Sequence, residues 1–209
     1  MSCWPGQAGG RRRTRLPPAG ERGASLIELL IVFVLIAILA AMAAPSTVNA
    51  MDAGRARQAA GFLASRLRLA KQQAVLRTAS VGLVFNAAGT RWTFRVCVDG
   101  NGNGLRRSEI TAGQDTCVDG PYDLAQLYPG VSIAVDSALR GPDGEPGSAD
   151  PVRLGSSDLA SFSASGSCTS GSVFVRSAKG EQYLIRIAGT NGRLRILRYD
   201  RGSRAWRDG

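Results

Sequence analysis

From Ala24 to Ala44 the chain reads "ASLIELLIVFVLIAILAAMAA", apolar at every position except Ser25 and Glu28. These 21 residues are about the length that spans a bilayer as a helix. Beyond Pro45 the pattern changes. Ala60, Leu63, Leu67, Ala70 and Ala74 recur at spacings of 3, 4, 3 and 4, which is one face of a helix. Arg55, Arg57, Arg66, Arg68 and Lys71 are interspersed with that face and read as its solvated remainder. Asp52 reads as an N-cap or first-turn acid. Together the two patterns predict one long helix from Ala24 to about Leu76. Its first half is apolar all round and its second half amphipathic. A kink is expected at Pro45, which lacks an N–H and crowds the preceding turn.

From Ser80 the texture is that of strands. Runs rich in Val, Ile and aromatics occur at 80–85, 91–98, 131–135, 172–176, 182–188 and 193–199. Turn residues separate them at 86–90, 141–147 and 190–192, and Asn191-Gly192 between two alternating runs is a hairpin signal. The expected fold class is α+β, a long N-terminal helix whose second half packs on antiparallel sheet. The expected division is an N-terminal lead at 1–23, an apolar helix at 24–45, an amphipathic helix at 46–78 and a β-rich domain at 79–209. The strand runs leave 99–130 and 136–171 without a strand.

Composition narrows the function. The chain has 209 residues, 26 of them Gly, only 6% aromatic and no His. Without His, the commonest general base and metal ligand is missing. No Ser or Cys sits in a nucleophile setting such as G-x-S-x-G. No enzyme activity and no required cofactor are expected. The net charge of +10 is concentrated at the two ends. Residues 1–23 hold Arg11, Arg12, Arg13, Arg15 and Arg22 against Glu21. The last 24 residues hold seven Arg against two Asp. An Arg-rich lead before an apolar run is the plan of an export signal, and Ala41-Met42-Ala43 is a weak cleavage site. The lead also predicts a cytoplasmic N-terminus and an exported C-terminal domain.

Glu28 does not fit a plain anchor, because a carboxylate in hydrocarbon costs roughly 2.5–3.5 kcal/mol even on lenient insertion scales. Ser25-Leu26-Ile27-Glu28 fits the capping box S-x-x-E, which accounts for a helix start but not for its place in an apolar segment. The stretch "RGASLIELLIVFVLIAILAAMAAPS" resembles the prepilin N-terminus of type IV pilins and type II secretion pseudopilins. The resemblance implies cleavage by prepilin peptidase between Gly23 and Ala24, and N-methylation of the new terminus at Ala24. It places Glu28 on the family's glutamate and Pro45 on its helix-kinking proline. Ala24 departs from the large apolar residue usual there, and Ser25 stands for the common Thr. It further implies a single-pass inner-membrane protein with a periplasmic domain. Other pilins or pseudopilins in a filament, and an inner-membrane assembly platform, would be its partners. In such a filament the Ala24 amine of one subunit would neutralise Glu28 of a neighbour. "RLRLAKQQAVLRTASVGLVF" and "GTNGRLRILRY" resemble the GspH/FimT subgroup.

Three local features remain. Cys97, Cys117 and Cys168 lie in the expected exported domain, where disulfides are permitted. Cys97–Cys117 would close a loop of about 20 residues, worth roughly 3 kcal/mol of chain entropy; pairing with Cys168 is the alternative. "DGNGNGLRRSEI" offers Asp99, Asn101, Asn103 and Gly104 in the order of a calcium loop, but position twelve is Ile110 and Glu109 falls one residue early. Weak Ca²⁺ binding and a plain Asn-Gly turn are the two readings. The tail "GRLRILRYDRGSRAWRDG" carries Arg193, Arg195, Arg198 and Arg201, followed by Arg204 and Arg207. It reads as a solvated strand edge kept soluble by charge, or as a phosphate-binding patch. FimT-type minor pilins of natural transformation are linked to DNA binding through a C-terminal G-R-x-R motif. Gly192-Arg193-Leu194-Arg195 resembles it, which implies DNA as an alternative partner.

Overall fold

The structure is a computed structural model describing residues 25–189 and 191–209, and the backbone alone at 43–45. It divides into two units, Met1–Ala43 and Ala44–Gly209. Helix α1, Leu26–Arg77, begins in the first unit. Ser25 stands just ahead of it, and its carbonyl accepts the Leu29 N–H at 3.1 Å. Glu28 lies in the first helical turn. Every described side chain from Leu26 to Met42 is exposed, Leu26 at 81%. Among the described residues this is one helix long and apolar enough to cross a membrane.

In the second unit the rest of α1 packs on two antiparallel sheets. Its buried face runs through Ala56, Ala59, Ala60, Leu63, Ala64, Leu67, Ala70 and Ala74, the 3.6-residue period expected of an amphipathic helix. Most of these are Ala, so little side chain separates helix from sheet. Asp52 is not a cap. It lies inside α1, is buried, and accepts a hydrogen bond from the Ser177 hydroxyl. The helix carries straight through the position where a first turn was expected, so the carboxylate turns inward and finds a donor.

The first sheet has the order β3-β2-β1-β6, formed by Thr116–Asp123, Arg91–Val98, Val81–Ala88 and Leu159–Phe162. The second has the order β10-β9-β8-β7-β4, formed by Ala205–Asp208, Arg193–Asp200, Gln182–Ala188, Gly171–Ser177 and Val131–Ser132. Strand β5, Val152–Arg153, also pairs with β7. Short helices α2, Arg107–Ala112, and α3, Leu124–Leu127, flank β3.

Leu63 and Leu67 of the helix, Phe85, Phe94 and Phe162 of the first sheet, and Val173, Ile185 and Ile187 of the second share one core. Both sheets are also covered on the opposite face. Val84 joins Cys97, Leu105 and Leu159, while Phe174, Leu184 and Leu197 pack with Val135 and Trp206. This is why β1 is buried at five consecutive positions, Val81 to Phe85, rather than at alternate ones. The β6 chain passes so close that a Cβ on Gly82 would stand 2.5 Å from the Ala160 carbonyl oxygen.

The run at 131–135 is a two-residue strand only, although Ile133 is buried. The run at 80–85 is longer than expected and takes in Asn86 to Ala88.

Candidate functional site

Gly23 and Ala24 lie outside the described residues, as does the side chain of Pro45. Glu28 is exposed on α1, flanked by Ile27 at 66% and Leu29 at 50% exposure. From Leu26 to Met42 the helix therefore presents an apolar surface bearing a single carboxylate.

The Asn-Gly loop is wired to itself. Asp99, 6% exposed, accepts backbone N–H groups from Asn101 at 3.1 Å, Gly102 at 2.8 Å and Gly104 at 2.7 Å. Glu109 accepts the side-chain amides of Asn101 at 3.0 Å and Asn103 at 2.9 Å, and Arg106 stands 3.5 Å away. A further carboxylate, Asp115, is buried beneath the loop and accepts the N–H groups of Gly100 and Arg106. Sequence reading did not single out Asp115, because nothing local ties it to the loop. Arg107, in place of a ninth-position acid, points away and donates to Ser157, Asn86 and Phe85. Cys97 and Cys117 face each other across β2 and β3 and form a disulfide at the base of the loop. Cys168 is free and half-buried. Burial raises its thiol pKa above the usual value, against a smaller opposing effect of the Gly192 backbone and Lys71.

The basic tail is mostly paired. Arg195 donates to both oxygens of Asp208, at 2.8 and 3.0 Å. Arg198 grips Glu181 through two nitrogens at 3.1 and 3.0 Å, and that hydrogen bonding raises its pKa further. Arg207 lies 3.3 Å from Asp200, and Arg186 pairs with Asp143. The Asp200 carboxyl is held below its usual pKa, first by the Ser203 hydroxyl and then by the Gly202 N–H. Arg201 donates to the carbonyls of Gly180 at 2.7 Å and Lys179 at 3.3 Å. Arg193 has no ion pair among the described residues. It lines a groove of about 670 Å³ with Arg68, Lys71, Val75, Leu76 and Leu194. Gly192 makes the groove wall possible. Its φ is +61°, and a Cβ there would stand 3.1 Å from Lys71 Nζ. Lys71 lies across the hairpin turn, donating to the Asn191 carbonyl at 2.8 Å and that of Gly192 at 3.3 Å.

Residues 19–44 match the family described as the prokaryotic N-terminal methylation motif. No curated protein and no solved structure matches the chain. The matched stretch contains Gly23, Ala24 and Glu28 and nearly all of the apolar segment. Taken with an apolar N-terminal helix and an α+β layout of helix on antiparallel sheet, it supports the type IV pilin-like, prepilin class.

Proposed function

We propose that the chain is a minor pilin or pseudopilin, a non-enzymatic structural subunit of a type IV pilus or type II secretion pseudopilus. It is held in the inner membrane by residues 24–45, cut by prepilin peptidase after Gly23, methylated at Ala24 and passed to an assembly platform. The supporting observation is the N-terminal methylation motif leading into an exposed apolar helical segment, Leu26 to Met42, whose one carboxylate is Glu28. In the filament Glu28 takes the Ala24 ammonium of a neighbour. A charge left buried without its partner is strongly destabilising, by roughly 3–5 kcal/mol. Glu28→Ala is therefore expected to be cleaved, with Ala24 as the new terminus by mass spectrometry, but to enter filaments poorly. Normal incorporation of Glu28→Ala would refute the pairing, and an uncut Gly23–Ala24 bond in wild type would refute the class.

A second reading, DNA capture by the tail, is favoured by Arg193 standing beside Arg68 and Lys71 with no carboxylate partner among the described residues. It predicts a salt-sensitive gel shift of duplex DNA by the full chain in nanodiscs, lost in the Arg193→Ala/Arg195→Ala double variant. No shift at low salt refutes it.

A further inference from the structure

The groove between the end of α1 and the start of β9 combines two features found together nowhere else in the tail. Its floor is aliphatic and open: Val75 is 54% and Leu76 83% exposed, with Leu194 beside them. These helix positions lie off the buried Ala70–Ala74 face, so core packing does not explain them. An aliphatic lining with a few charged groups around it is the general make-up of a ligand groove. The rim is Arg68, Lys71 and Arg193. None of the three makes an ion pair among the described residues, and Lys71 meets only carbonyl oxygens, which leave its charge uncompensated. Elsewhere Arg176, Arg186, Arg195, Arg198 and Arg207 each face a carboxylate.

We propose that this groove is a docking site for an acidic segment of a different protein. An aliphatic side chain of that segment would lie on Val75 and Leu76, and its flanking carboxylates would meet Arg68, Lys71 and Arg193. Charge complementarity selects this occupant. The second unit holds 21 Lys and Arg against 14 Asp and Glu, so a second copy carries the same excess and is repelled. A single-stranded nucleic acid would satisfy the rim but not the floor, which has no aromatic face on which a base could stack, and a duplex would meet only the rim through its phosphates. A peptide fills both. This reading stands whether or not the chain joins a filament.

The test uses the full chain in phosphatidylcholine nanodiscs and fluorescence anisotropy. The probe is a labelled Glu-Leu-Glu-Leu-Asp-Leu peptide. Saturable binding is expected, at least tenfold weaker for the same peptide with Gln and Asn replacing its acids. Arg193→Glu and Leu76→Asn should each weaken it at least tenfold. Leu76 is open to solvent, and an unchanged melting temperature verifies that the variant is folded. Arg204→Glu removes an arginine outside the groove that also lacks an ion pair among the described residues, and should leave affinity unchanged. The proposal is overturned by absence of saturable binding to folded wild type, by indifference to Leu76→Asn, or by an equal loss in Arg204→Glu. It is also overturned if a 12-nucleotide single strand displaces the peptide through a site that depends on Arg193 but not on Leu76.

Discussion

Replacing Asp99 by Ala tests what holds the Asn-Gly loop. The carboxylate accepts three backbone N–H groups, at 2.7, 2.8 and 3.1 Å, from a nearly buried position. Hydrogen bonds to a charged group are each worth about 1.5–3 kcal/mol. They are not additive, and Asn101 and Gly102 are exposed enough for water to replace the lost acceptor. A total near 3 kcal/mol is the reasonable expectation. For a unit of this size each kcal/mol shifts the melting temperature by about 2–4 °C, so Asp99→Ala should melt about 6–12 °C lower. Asp99→Asn keeps one acceptor oxygen and should lose about half as much. The same melting assay decides the ion question. A site of about 100 μM affinity, saturated with 10 mM Ca²⁺, would add about 2.7 kcal/mol and raise the wild-type melting temperature by a comparable margin. No rise is expected. Both Asn amides turn their N–H groups to Glu109, Arg106 lies against the same carboxylate, and Asp99 already meets three donors. A Ca²⁺-dependent rise that disappears in Asp99→Ala would refute this account. So would an Asp99→Ala variant melting within 1 °C of wild type.

Other outcomes follow from single contacts. Arg66→Ala loses an ion pair to Asp119 at 2.9 Å, a hydrogen bond to the Tyr122 hydroxyl at 2.7 Å and a stack 4.5 Å over the Tyr122 ring. Because the pair is partly solvated, a loss of about 1–2 kcal/mol is expected in urea titration. Tyr122 has a raised pKa, chiefly because it donates to Asp119 and secondarily through burial. The folded state thus holds the phenol proton more tightly. That contribution to stability is complete below the ordinary tyrosine pKa of about 10 and falls as pH rises through the folded value. An absorbance titration of phenolate formation should show a fraction titrating late in folded protein and none late in urea. Gly192→Ala must adopt a positive φ and crowd Lys71 Nζ. It should cost about 1 kcal/mol and, by displacing Lys71, weaken any ligand of the groove; an unchanged melting point would show that the turn relaxes freely.

What the sequence revealed follows from how local each cause is. The face from Ala60 to Ala74 was legible because helical periodicity survives intact in the chain. Strands β2 and β8 coincide with their apolar runs because turn residues bound both. Strand β3, "TCVDGPYD", was invisible. Its Asp, Gly and Pro are residues depleted in strands, and it is an edge strand whose pairing is fixed by β2 and by the Cys97–Cys117 cross-link. The run at 131–135 shows the converse, because Ile133 is apolar for burial and not for pairing. At the loop, Asp99, Asn101, Asn103 and Glu109 were found as neighbours in sequence, whereas Asp115 reaches them only through the fold.

The basic tail shows how far composition misleads about electrostatics. In the β8–β9 register Arg186 stands opposite Arg195, and in the β9–β10 register Arg198 stands opposite Arg207. Like charges directly opposite one another destabilise a sheet. Here each of the four is met by its own carboxylate, Asp143, Asp208, Glu181 and Asp200 respectively. Two of those acids come from outside the tail, so the sequence count of seven Arg against two Asp overstates the charge available to a partner. Arg193 is different, because the register sets it opposite Ala188 and gives it no acid. If the groove recruits an anion, Arg193→Ala should therefore weaken that binding. Arg195→Ala should weaken it less, because Asp208 already offsets most of the charge that Arg195 offers.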